Sequence, residues 1–309
     1  MRVGVVDLGT NSTRLLVADV RDGRVEEVAR RTRVTRLGEG VDERRKLLPL
    51  PIARVRNVLA DYRRELGKLG AERVLAVGTS AIRDAQNGEA FLGEIEWSYG
   101  FATRLLSGED EAELTLRGVA TNGRGLAADT LVLDVGGGST ELITAETRRS
   151  LDLGSGRLTE RFLHSDPPSG DELEASAAAV RELLPDLHPA AAIGVAGTIT
   201  TLAALDLGLA HYDPDRVHGH RLSAKGVQEQ LDRLASLPLS ERRELPALDP
   251  ERAPVIVAGA VIVREVLARY GLDELEVSEQ DILHGAALEA AALPERVEGN
   301  APPGAYTCC

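Results

Sequence analysis

One nine-residue pattern occurs twice, and it constrains the chain more than any other feature. Asp7-Leu8-Gly9-Thr10-Asn11-Ser12-Thr13-Arg14-Leu15 is echoed by Asp134-Val135-Gly136-Gly137-Gly138-Ser139-Thr140-Glu141-Leu142, with Asp, Gly, Ser, Thr and Leu at matching places. Each copy follows a short apolar run (Val3 to Val6; Thr130 to Leu133) and precedes another (Leu15 to Ala18; Leu142 to Ala145). The unit reads as strand, tight turn, strand: a β-hairpin whose turn presents backbone N–H groups. Its return deep in the chain predicts two related domains, residues 1–124 and 125–296, with a flexible tail over 297–309. The boundary falls in the polar glycine-rich stretch Asn122-Gly123-Arg124-Gly125.

Between the copies, strand and helix patterns alternate. Helical spacing covers Ile52 to Leu69, and strands are predicted at Arg73 to Val77 and Phe101 to Leu106. A helix opened by Ser107 runs over Glu109 to Ala120. In the second half, helices are predicted at Asp171 to Leu184, Ala224 to Leu234 and Ala253 to Tyr270. Ala192 to Val195 reads as a strand running into Gly197-Thr198 and a helix, and Leu275 to Val277 as a strand before a last helix. The organisation is α/β in two halves.

With 309 residues and 43% hydrophobic content, each half has material for its own core. No apolar run approaches the roughly 20 residues that span a bilayer. The opening Met1-Arg2-Val3-Gly4-Val5-Val6-Asp7 reads as a strand rather than a leader, so a cytoplasmic location is expected. The two cysteines, Cys308 and Cys309, lie at the end of the expected tail and staple nothing. A net charge of −13 argues against nucleic-acid binding, while a local field still admits a polyanionic substrate.

The turns carry the chemistry. Gly136, Gly137 and Gly138 let backbone approach an anion, and Ser139 adds a hydroxyl. Gly9, Thr10, Asn11 and Ser12 offer the same on the other domain, and Gly197-Thr198 adds a helix N-terminus. Asp7 and Asp134 enter the turns as carboxylates. Beside a phosphate they repel unless a cation intervenes, so Mg2+ or Mn2+ is expected, with Glu141 joining its shell. In Ser107-Gly108-Glu109-Asp110-Glu111, the first acids fit helix capping. Glu111 shares a helix side with Thr115 and Gly118 and is the candidate general base. Arg83 follows a strand in Thr79-Ser80-Ala81-Ile82-Arg83, where α/β proteins bind ligands. Arg14, Arg83 and Arg157 are expected to line a positive channel. His218 and His220 read as solvated loop histidines rather than a metal pair.

Together these residues resemble the exopolyphosphatase / guanosine pentaphosphate phosphatase family, within the superfamily of actin, sugar kinases and heat-shock chaperone ATPases. The segments that carry the resemblance are DLGTNSTRLLV, GTSAIRDAQN, SGEDEAELTLRGV, LDVGGGSTEL, GVAGTITTLAAL, VHGH and VIVAGAVIV, in order over residues 3 to 290. The resemblance implies two ribonuclease-H-like domains with a cleft between them. It also implies Glu111 as catalytic base, Asp134 and Glu141 as functional acids, and Arg83 in a substrate-facing loop. Asp110 stands where a glutamate is common, and the short two-domain type is expected. The implied activity is release of terminal orthophosphate from inorganic polyphosphate, with guanosine pentaphosphate the alternative substrate. No nucleic-acid or membrane partner is expected, and a homodimer is left open. An ATP-dependent kinase would need an acceptor site and an adenosine pocket. A protein that only binds polyphosphate would show no turnover.

Overall fold

A computed structural model describes residues 1–294. The Cys308-Cys309 pair and the expected 297–309 tail lie outside the described residues. The chain forms two compact units, one of Met1–Gly125 with the segment from Gln280 onward, the other of Leu126–Glu279.

The first unit begins with β1 (Arg2–Leu8), β2 (Ser12–Arg21), β3 (Arg24–Val34), α1 (Val41–Arg44) and α2 (Pro49–Leu69). It continues with β4 (Arg73–Gly78), α3 (Ser80–Asp84), α4 (Gly88–Tyr99), β5 (Ala102–Leu105) and α5 (Gly108–Val119). Its sheet has the order β3-β2-β1-β4-β5. The first three strands are antiparallel, and β4 and β5 run parallel to β1. Alternate residues of β1 and β2 feed two apolar clusters on opposite faces. Val6, Leu8, Leu15 and Val17 face α2 residues such as Val55 and Leu59, while Val3, Val5 and Leu16 lie in the other cluster.

The second unit contains β6 (Thr130–Val135), β7 (Thr140–Ile143), β8 (Arg148–Leu151), α6 (Ser155–Phe162), α7 (Gly170–Leu183), β9 (Ala191–Val195) and α8 (Ala196–Asp206). Then come α9 (Pro214–Val217), β10 (Arg221–Ser223), α10 (Ala224–Ser236), α11 (Leu239–Arg242), α12 (Ile256–Tyr270) and β11 (Glu274–Val277). Read from β8, the sheet order β8-β7-β6-β9-β11 repeats that of the first unit, and β10 adds an edge. The antiparallel trio and the parallel β6–β9 and β9–β11 pairs recur as well. Two copies of one ribonuclease-H-like sheet therefore stand behind the repeated motif.

The last helix, α13 (Ile282–Ala292), belongs to the first unit rather than to a C-terminal domain running to residue 296. Ile282, Leu283, Ala286, Ala287 and Ala290 join the cluster of Val3, Val5 and Leu16. Small residues let α13 approach α5. A methyl on Gly118 would overlap the Asp281 carbonyl, and one on Gly285 the Leu114 carbonyl. The strands not read from sequence have little apolar alternation: β3 is mostly exposed and carries Glu26, Glu27, Arg30, Arg31 and Arg33. An edge strand needs only one covered face, so its sequence pattern is faint.

Candidate functional site

In the first unit, the C-terminal ends of β1, β4 and β5 fall side by side. Leu8 pairs with Gly78, and Gly78 with Leu105. Three segments therefore leave one sheet edge: the Gly9–Ser12 turn, the Thr79 segment with Arg83, and the Ser107 segment with Glu111. This is the edge at which α/β sheets hold ligands.

The turn is fixed from behind. Gly9 N–H donates to the Ser12 carbonyl at 3.0 Å. Thr10 C=O accepts from Gly38 N–H at 2.8 Å, and Asn11 C=O from Thr35 and Arg36 at 3.0 and 2.9 Å. A trans peptide places its C=O and N–H on opposite sides. Anchoring the carbonyls thus turns the N–H groups of Asn11 and Ser12 the other way. Thr13 and Thr35 hydroxyls meet at 2.9 Å, and Tyr62 donates to Thr13 C=O at 3.0 Å.

Asp7 stands opposite Arg14 in the hairpin. Arg14 Nε and Nη2 hold Asp7 Oδ2 at 2.8 and 2.7 Å, and Arg14 Nη1 pairs with Asp281. Arg14, expected among the phosphate ligands, is therefore engaged by two buried carboxylates. Asp281 is also the N-cap of α13, accepting from Leu283 N–H at 3.0 Å in a capping box with His284. The two acids respond in opposite senses. Burial raises the Asp7 carboxyl, with Arg14 pulling the other way. Burial also pushes Asp281 up, but Arg14, His284 and Arg30 outweigh it and hold that carboxyl well below the usual range. Asp7 Oδ1 is buried without a hydrogen-bond partner. Sequence reasoning missed Asp281; its one local signal is a cap before an apolar helix.

The neighbouring acids of α5 divide their roles. Asp110 closes a capping box with Ser107 and pairs with Arg104. Hydrogen bonding from Ser107, then Arg104, lowers its carboxyl. Glu111 faces inward at 8% exposure beside Ala112 and Thr115. Arg83 Nη1 reaches Glu111 Oε2 at 3.1 Å and the Leu106 carbonyl at 3.0 Å. Arg83, Glu111 and the Leu106 backbone form one cluster at the strand ends.

The second unit repeats the turn. Gly136 N–H donates to Ser139 C=O at 3.0 Å. The N-terminus of α6 captures the turn carbonyls: Ser155 N–H on Gly136 at 2.9 Å, then Gly156 and Arg157 on Gly137 at 2.9 and 3.1 Å. Arg157 Nε takes Gly138 C=O at 2.8 Å. The N–H groups of Gly137, Gly138 and Ser139 again point the opposite way. A methyl on Gly154 would overlap Gly137, so that glycine permits the close approach. Arg157, only 8% exposed, supports the turn from within instead of lining a channel. Asp134 and Glu141 are directly opposite across β6 and β7 and are both buried. Ser150 donates to Glu141 Oε1 at 2.7 Å.

Gly197 and Thr198 do follow the end of β9, where Ala196 adopts φ +67°. The Arg252 guanidinium lies so close to Gly197 that a methyl would overlap it, and Thr198 is buried against Gly259. This junction is built differently from the two hairpin turns. Of the loop histidines, His220 Nε2 meets Asp206 Oδ2 at 2.8 Å, and His218 Nδ1 accepts from Glu279 N–H at 3.2 Å. Both therefore have structural partners. Among the described residues no three His, Cys, Asp or Glu side chains converge as a ready metal cluster, and no helix is long and apolar enough to cross a membrane.

The Ppx/GppA phosphatase family matches residues 16–292. Exopolyphosphatase 2 of Mycobacterium tuberculosis (strain ATCC 25618 / H37Rv) is 40% identical, over 94% of this chain and 98% of that protein. A solved exopolyphosphatase-like protein is 33% identical, with a TM-score of 0.86 over 94% of this chain and 98% of its own. The solved Aquifex aeolicus PPX-GPPA enzyme is also 33% identical, with a TM-score of 0.77 over 94% and 99%. With both sheets, both anchored turns and the matched length in agreement, the chain belongs to the Ppx/GppA phosphatase family.

Proposed function

We propose that the chain is an exopolyphosphatase, releasing terminal orthophosphate from inorganic polyphosphate in the cytoplasm. The observation that carries the mechanism is Glu111: a buried carboxylate held by Arg83, leaving the same sheet edge as a turn whose N–H groups are aimed by anchored carbonyls. Inorganic polyphosphate is also what the 40%-identical relative's name denotes.

In this reading Glu111 accepts a proton from a water as its oxygen bonds to the terminal phosphorus. The bond from that phosphorus to the bridging oxygen breaks, and the shortened polyphosphate leaves with the electron pair. A phosphoanhydride leaving group needs no general acid. Arg83 fixes the Glu111 carboxylate, and turn N–H groups hold phosphoryl oxygens without reorganising.

Magnesium or manganese fits the residues present. Asp134 and Glu141 oppose each other in an antiparallel ladder, where like charges repel, and a cation relieves that. Within the first unit, the unpartnered Asp7 Oδ1 is an oxygen donor of the same kind. A small hard cation keeps several waters and substrate oxygens, so a complete protein cage is unnecessary. When bound, it offsets phosphoryl charge.

The test is phosphate release from tripolyphosphate, long polyphosphate, guanosine pentaphosphate and ATP, side by side with either cation. Release from polyphosphate is expected. Release from guanosine pentaphosphate alone would move the assignment to that substrate, and no release from any would remove the enzyme reading.

A further inference from the structure

Two of the three arginines expected to grip substrate are consumed internally, Arg14 by two carboxylates and Arg157 by turn carbonyls. Unspent positive charge in the first unit lies elsewhere. Arg44, Arg45 and Lys46 are consecutive and exposed, and among the described residues none of the three forms an ion pair. Many other arginines do, such as Arg56 with Glu94 and Arg104 with Asp110 and Glu289. In a chain of net charge −13 with 36 Lys and Arg, these three adjacent cations without ion pairs outweigh the Asp42 and Glu43 that precede them on α1.

Their backbone is held firmly. Arg45, in the left-handed region at φ 53°, closes α1 by donating N–H to Val41 C=O at 2.8 Å. Its own carbonyl accepts from Gln86 N–H at 2.8 Å. Asn87 clamps Leu47 from both sides, at 2.8 and 3.1 Å. Gln86 and Asn87 follow the C-cap of α3, the helix that carries Arg83. The other end of the segment is docked on the phosphate turn through Gly38 and Thr10. The basic run starts on the last residue of α1, so only that short helix, rising about 6 Å, leads to it from the turn-docked end.

We propose that Arg44, Arg45 and Lys46 form a binding site for the distal phosphates of a long linear polyanion whose end occupies the first turn. The proposal rests on the polyphosphate reading of that turn. With the backbone already pinned, binding a flexible polyanion orders only the three side chains and not the segment that carries them. A short substrate ends before it reaches them, so the site favours long chains over short ones.

The test is binding of end-labelled long polyphosphate by fluorescence anisotropy, in a Glu111→Gln background that suppresses turnover. The triple substitution Arg44→Gln/Arg45→Gln/Lys46→Gln is compared with a charge-matched control, Arg63→Gln/Arg64→Gln/Lys68→Gln on α2. All six side chains are exposed, so neither change should impair folding. At low salt the first triple should weaken long-chain affinity by about tenfold and flatten the slope of log affinity against log salt by about 2. Competition by tripolyphosphate should change less than about twofold, and so should long-chain binding by the control. Unchanged long-chain affinity, equal losses for long and short chains, or an equal loss in the control would each overturn the site. Absence of phosphate release by the parent enzyme would instead overturn the polyphosphatase reading and leave the binding comparison standing.

Discussion

The two hairpin turns share one backbone and differ in charge. Each closes with a glycine N–H on a serine carbonyl at 3.0 Å, and each has its carbonyls held from behind. In the first, the residue opposite the aspartate is Arg14; in the second it is Glu141. One turn therefore brings its own counter-cation and the other concentrates two carboxylates. Their supports also differ: a loop from Thr35 to Gly38 in the first, the N-terminus of α6 in the second. The hydrogen-bond scaffold of the turn tolerates exchange of its neighbours, while the electrostatics next to it is set position by position. On our reading the first unit holds the proton acceptor and the second the stronger demand for a cation.

Glu111→Gln gives the largest test of that division. Turnover should fall by roughly 10²- to 10⁴-fold in steady-state phosphate release, with folding barely changed. Asp110→Asn is the companion, and the structure sharpens its meaning. It touches the capping box and the Arg104 pair, so its cost should appear as about 1 kcal/mol or less of stability, with turnover kept. Equal turnover losses in both variants would place the chemistry elsewhere.

Arg14→Met should act mainly on folding. It leaves Asp7 and Asp281 buried without their shared cation, and loss of one partner from a buried ion pair costs about 3–5 kcal/mol. Denaturant unfolding measures this. A variant as stable as the parent would mean that the first turn does not depend on its internal cation.

Glu141→Gln tests the second turn. Removing one of two opposed carboxylates should leave stability within about 1 kcal/mol. The Mg2+ concentration for half-maximal phosphate release should rise by roughly several-fold. An unchanged metal requirement would take Glu141 out of the shell.

The smallest effect is in pH dependence, and the two acids on Arg14 should differ in sign. Asp281 is held below its ordinary value, so its contribution to stability is present above about pH 4 and is lost as pH falls toward its folded value. Asp7 is raised, so its contribution is largest at low pH and is lost as pH rises past the ordinary carboxylate range. Unfolding curves should show a flatter acid limb for Asp281→Asn. For Asp7→Asn, stability relative to the parent should grow with rising pH. Parallel curves for both variants would contradict the asymmetry.

What is local and repeated could be read from the residues alone. The Asp-x-Gly hairpins show because a strand, a tight turn and a strand leave a dense short-range signature, and recurrence made the two related units legible. Ser107 as a helix cap and Glu111 on the inward face of α5 follow from side-chain periodicity in the same way. Which charges remain available emerged from packing between distant segments. Arg14 meets Asp281 across 267 positions, and no pattern of spacing encodes such a pair. The return of α13 to the first unit depends on Gly118 and Gly285 facing each other's backbones, which individually look like ordinary helix glycines. Arg157, Arg14 and the Arg44–Lys46 run look alike in sequence. Burial and partners separate them, because a guanidinium surrounded by carbonyls or carboxylates is a structural brace, whereas one in solvent without a counter-charge can still take a ligand.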